Sequence, residues 1–185
     1  MAETGHRIDD LRQLVASGAS WAATALAQLA GCTLAARVPR RAPLSGEAGP
    51  WEVGLFADVQ GPLAGVIALL LTPHSRDTLV KTLLGSSADD PEAAESALRE
   101  LGNIVASQAV SAMAAELGER LLPSVPTLVP RDAEAALAAR IRRRGGAGDA
   151  LRFETLLQDA SAGLRVLLVF VADAAPAAFD PRAGV

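Results

Sequence analysis

The chain has no tyrosine, and aromatic residues make up only 3% of its 185 positions. That supply does not suit an aromatic-walled ligand pocket or a base-stacking surface. Cysteine is nearly absent too. Cys32 stands alone, so no internal disulfide can form, which fits a reducing compartment. It is expected to pack as a small hydrophobe. Long hydrophobic runs are missing: the longest, residues 66–71 and 166–172, are far too short to cross a bilayer. The first residues (Met1, Ala2, Glu3, Thr4, Gly5, His6) lack the basic start and apolar stretch of a signal peptide. The expectation is a cytoplasmic protein with no membrane insertion.

Positive charge is also in short supply. The net charge is -4 and the pI about 5.2, which argues against a nucleic-acid partner, since phosphate must be met by Lys and Arg. One dense basic run exists, Arg140, Arg142, Arg143 and Arg144, followed by Gly145 and Gly146. It reads either as a solvated loop or as a docking patch for an acidic partner.

Half of the chain is apolar, and that half is enough for one domain with a core of Ala, Leu and Val. Residues 8–29 read as a helix, with Leu11, Leu14, Gly18, Ala22, Ala25 and Leu29 on one face and Gly31 as its stop. A short strand over 33–38 and a Pro/Gly-rich loop over 39–50 follow. A hairpin comes next, 53–59 and 63–71, turning at Gly61-Pro62. Thr72-Pro73 opens a helix ending at Gly85. The clearest helix start is Asp89-Asp90-Pro91-Glu92: Asp90 caps, Pro91 fits the first turn, and Glu92 meets the positive end of the dipole. That helix should run to Leu117 and stop at Gly118. Residues 121–129 read as a strand that Pro123 and Pro126 mark as an edge or a bent segment. A short helix over 132–143, a glycine-rich loop, a second hairpin (151–157 and 163–171) and a loosely held tail from Asp173 complete the chain.

The two halves resemble each other. The stretch from Leu11 aligns with that from Leu98, and the stretch from Val59 with that from Leu157. A period of about 90 residues is too long for a solenoid and points to a duplicated domain, with pseudo-repeats over 8–85 and 90–172. The expected fold is α/β (α+β). It would be one continuous antiparallel sheet of about six strands, with the long helices covering a face.

On the second long helix, Leu98, Leu101, Val105, Ala109 and Ala112 share the core-facing sector. Glu100, Asn103, Ser107 and Ser111 fall roughly opposite. Glu100 and Asn103 are one turn apart and should face solvent together. Gly102 and Asn103 both weaken a helix interior, Gly by about 1 kcal/mol relative to Ala. A glycine there would let another molecule approach closely, with Gly102, Ser107 and Ser111 forming the contact surface. The plain alternative is a solvated polar face.

Leu98-Arg99-Glu100-Leu101-Gly102-Asn103-Ile104 resembles the signature of the CheC/CheX/FliY phosphatases of bacterial chemotaxis, which act on phosphorylated CheY. The resemblance extends over most of the chain, including the duplication, both hairpins and the Thr72-Pro73 helix start. It implies a continuous antiparallel sheet with two long helices related by pseudo-two-fold symmetry, and catalysis by Glu100 and Asn103. The implied substrate is an aspartyl phosphate on a CheY-like receiver domain, whose own site holds Mg²⁺. No cofactor or metal would then be needed in this chain, and a CheD-like protein becomes a further conceivable partner. Catalysis would be positioning and electrostatics. Asn103 would hold a water in line with phosphorus, and Glu100 would pair with the receiver's lysine. The sequence departs from the family in its first half, where Gln13 and Ala16 stand at the matching positions. Ala16 has nothing to orient water, so the first site is expected to be inactive. Trp21 stands where the family tends to have a small or polar residue, and is either core or a new contact. A non-catalytic receiver-binding adaptor or scaffold is the alternative function.

Overall fold

The computed structural model describes residues 2–44, 49–144, 150–159 and 163–173, with side chains from residue 8 onward. The order is α1 (Ala2–Ala30), β1 (Ala35–Ala36), β2 (Arg40–Ala42), β3 (Val53–Gln60), β4 (Gly65–Leu71) and α2 (Pro73–Leu84). Then come α3 (Pro91–Leu117), β5 (Leu122–Pro123), β6 (Thr127–Val129), α4 (Ala133–Arg143), β7 (Leu151–Gln158) and β8 (Arg165–Ala172).

The capping residues set the helices where their chemistry demands. The Asp90 carboxylate accepts from the Glu92 and Ala93 amides, and Gly118 closes α3 in the left-handed region. Thr72 caps α2, and Gly85 follows its last turn. α1 begins earlier than its apolar periodicity indicates, at Ala2.

The strands form one antiparallel sheet with the path β1-β7-β8-β4-β3-β5, in which β2 also pairs with β7 and β6 with β3. Each edge is thus a single strand broken in two, so the eight segments among the described residues occupy six positions. Pro123 and Pro126 break the β5/β6 edge. The other edge departs from expectation: Arg40–Ala42 lies in the supposed loop, yet pairs with Arg152, Phe153 and Glu154.

The halves interlock. β1 and β2 from the first half lie against β7 of the second. β5 and β6 from the second half lie against β3 of the first. At the centre Leu69 pairs with Leu168 and Leu70 with Leu167. In the sequence alignment Leu69 corresponds to Leu167 and Leu70 to Leu168, so each pairs with the other's equivalent, as a two-fold axis requires. β4 and, from Val166 onward, β8 are buried on both faces, which is why those stretches are continuous apolar runs.

One face of the sheet carries Leu55, Ile67, Leu69, Phe153, Leu168 and Phe170 toward α1 and α3. The other carries Phe56, Val66, Leu70, Val169 and Val171 toward Leu137 and Ile141 of α4. Trp21 does not join either core: it is 55% exposed.

The arginine run is not a free loop. Arg140 makes a bidentate pair with Asp58 on β3 (3.1 and 2.7 Å). Arg144 bridges Asp58 at 3.0 Å and Asp173 after β8 at 2.7 Å. These contacts fasten the end of α4 across two strands. Only Arg142 and Arg143 remain exposed. Gly145, Gly146 and the Ala/Pro tail after Asp173 lie outside the described residues.

The α4 face also holds a buried ionic group. Arg152 is fully buried and bonds Glu154 at 2.9 Å and Glu134 at 2.8 Å. Removing the guanidinium would leave Glu154, only 2% exposed, with its contact to the exposed Arg40 as its remaining ion pair among the described residues. Arg152→Ala should therefore destabilise the fold by about 3 kcal/mol. Urea denaturation near neutral pH checks this.

Candidate functional site

α3 places the motif by packing one of its faces against β3. Leu98, Leu101, Gly102, Val105, Ala109 and Met113 are buried. A Cβ built on Gly102 would sit 3.2 Å from the Leu55 Cβ and Cδ1 atoms. The glycine therefore lets the helix approach the sheet. This corrects its expected role: Gly102 is buried against the protein's own strand and presents nothing to a visiting molecule. α1 makes a comparable approach at Gly18, where an added Cβ would meet Met113 at 2.9 Å and the Ala109 carbonyl at 3.0 Å.

With that face committed, Glu100 and Asn103 stand exposed on the outer side of the helical layer. Ser111 is exposed with them, and Ser107 is half-buried. Ala112 is half-buried rather than core. Among the described residues, neither Glu100 nor Asn103 has a hydrogen-bond or ion-pair partner. The neighbouring Arg99 is turned back to Glu95 at 2.8 Å, one turn earlier, so it does not pair with Glu100. A free carboxylate and a free amide in water, a turn apart, lack the preorganised surroundings that catalysis demands. A second molecule would have to supply them by docking.

The matching positions on α1 are weaker. Gln13 is exposed and Ala16 half-buried. Trp21 is an exposed indole on that helix, so it does not join the core.

Cys32 departs from the simple hydrophobe expected. It is half-buried, and burial pushes its thiol above the ordinary range, with the Asp159 carboxylate adding to the shift by charge and hydrogen bonding. Composition gives no hint of this contact, because Asp159 reaches it only through the β7 end of the sheet. A second grouping that sequence reading missed is a cleft lined by Arg37, Arg165 and Trp51 on the α4 face. No sequence spacing links those three.

The CheC-like family model matches residues 94–129, the stretch from the first turn of α3 through β6 that contains Glu100 and Asn103. No curated protein sequence matches the chain. Among solved structures, the chemotaxis protein CheX from Desulfovibrio desulfuricans superposes with a TM-score of 0.64 at 14% identity, covering 85% of this chain and 97% of that one. FliY from Thermotoga maritima gives 0.64 at 16% identity, covering 91% of each chain. CheX from Borrelia burgdorferi, solved as a CheX-CheY-BeF3-Mg complex, gives 0.58 at 15% identity and covers 86% and 95%. The structural likenesses establish the fold, and with the matched segment they support the CheC-like assignment.

The geometry separates surface from packing roles. Asn103→Ala should change stability by no more than about 0.5 kcal/mol. Gly102→Val should cost about 1–3 kcal/mol through crowding against Leu55. Urea unfolding of both variants tests the distinction.

The raised Cys32 thiol gives a pH prediction. Its folded pKa lies above the unfolded one, so the contribution to stability is present below the unfolded pKa and is lost as pH rises through the folded value. Iodoacetamide should accordingly alkylate Cys32 more slowly at pH 8 in the folded protein than in urea.

Proposed function

We propose, with the CheC-like assignment as premise, that this chain is a phosphatase for the aspartyl phosphate of a CheY-like receiver domain. The observation that supports it is the pair itself: Glu100 and Asn103 are exposed, unpartnered among the described residues, and set one turn apart on a helix whose opposite face is buried. A relative in fold has been solved in complex with CheY.

The chemistry suits a site completed by its substrate. An aspartyl phosphate is already activated, and the receiver brings its own Mg²⁺, so the visiting helix needs to supply only position. The Asn103 amide both donates and accepts, so it can hold a water in line with phosphorus. Glu100 pairs with the receiver's active-site lysine and sets the register of Asn103. Gln13 and Ala16 cannot repeat this: Ala16 has no polar group, and Gln13 carries no charge. Each chain therefore acts on one receiver at a time.

The test follows the decay of a receiver domain phosphorylated with a small-molecule donor. This protein should accelerate the decay. Asn103→Ala should lower the rate by about 100-fold or more, as loss of one positioning group does at comparable sites, while docking survives. Glu100→Gln should weaken docking and its salt dependence. Gln13→Ala should change neither. An unchanged or slowed decay with the parent protein would support the adaptor reading instead.

A further inference from the structure

The face of the sheet turned away from Glu100 and Asn103 has a cleft of about 310 Å³. Leu156 and Leu167, paired across β7 and β8, contribute apolar lining. Arg37 and Val38 come from the turn between β1 and β2, and Trp51 from the approach to β3. The volume falls at the small end of those that hold small molecules.

Among the described residues two carboxylates reach this cleft, and both are already committed. Glu154 is 2% exposed and lies between Arg152 at 2.9 Å and Arg40 at 2.6 Å. Glu134 takes a bidentate contact from Arg152, at 2.8 and 3.0 Å. Their charge is therefore offset by Arg152 and Arg40. Two guanidiniums remain. Among the described residues, Arg37 has no carboxylate partner, and Arg165 meets only the Trp51 ring, 5.9 Å from its centroid. Arg152 itself is fully buried with its Nη1 unpartnered. Among the described residues, Arg37 and Arg165 therefore leave uncompensated positive charge beside the apolar lining, which concentrates the field in the opening.

We infer that this cleft binds a small organic oxyanion, a carboxylate or phosphate on an apolar body. Arg37 and Arg165 take the headgroup, since a guanidinium fork matches either oxyanion. Leu156, Leu167 and Val38 receive the body. The site is independent of the phosphatase reading, because it uses the α4 side of the sheet and none of the α3 motif.

Trp21 and Trp51 are the only tryptophans, so a Trp21→Phe protein reports from Trp51 alone. Its fluorescence is titrated with phenyl phosphate, benzoate and inorganic phosphate, and the affinities are repeated by calorimetry. Phenyl phosphate or benzoate should give a saturable change, and the tighter of the two identifies the headgroup. Inorganic phosphate should bind more weakly than phenyl phosphate, for want of a body. Arg37→Gln and Arg165→Gln, each with an unaltered circular dichroism spectrum, should weaken binding by about tenfold or more, the loss expected for one charge-assisted contact. Absence of saturation by both organic probes up to about 10 mM overturns the inference. So does binding that neither substitution alters.

Discussion

The pairing of β4 with β8 is the constraint on which the rest depends. These strands join the two halves along their whole length, from Gly65↔Ala172 to Leu71↔Val166. Because both faces are covered from Gly65 to Leu71 and from Val166 to Ala172, every side chain there must be apolar and must fit a neighbour. Shifting the register by one residue would send the wrong side chains to each core. The interlocked edges follow from this centre: once β4 and β8 are adjacent, each half offers its outer hairpin strand to the edge segment of the other.

The helical layer then takes its position from close contact with that sheet and between its own members. Gly102 lets α3 settle against Leu55, and Gly18 lets α1 settle against Met113 and Ala109. A helix held this closely has little freedom to rotate about its axis. Its orientation decides that Glu100 and Asn103 face outward while Leu101 and Val105 face the core. A helix-weakening glycine beside the motif is thus explained by packing, and the motif's exposure is the consequence.

The second face of the sheet is covered differently. α4 brings Leu137 and Ile141 to the apolar strands, and Arg140 of its last turn and Arg144 just after it clamp Asp58 and Asp173. A cation near a helix C-terminus also meets the negative end of the dipole. Farther along the same face, Arg152 joins Glu134 and Glu154 inside the layer. Breaking such a group by removing one partner is costly, because it leaves a buried charge unmatched. The two faces therefore differ in kind: small apolar contacts position the α1/α3 layer, and ion pairs help hold α4.

Much of this was legible in the sequence because local physics sets it. Asp90, Pro91 and Gly118 bound α3 without help from tertiary contacts, and the apolar periodicity of residues 98–109 identifies its buried side. The internal likeness of Leu69 and Leu167 foretold a symmetric sheet, and the spacing of Glu100 and Asn103 placed them on one turn. Tertiary structure alone decided the rest. Arg40–Ala42 has no strand signal of its own and is recruited by the free edge of β7. Gly102 looked like an opening for a visitor, and only the position of Leu55 showed that the space was already filled. Arg140 and Arg144 looked like a solvated run until Asp58 and Asp173, remote in sequence, came within ion-pair distance. Caps and periodicity act over a single turn or strand, so a chain displays them directly. The partners of a charge or of a glycine's empty space are fixed by which distant segments the sheet brings together.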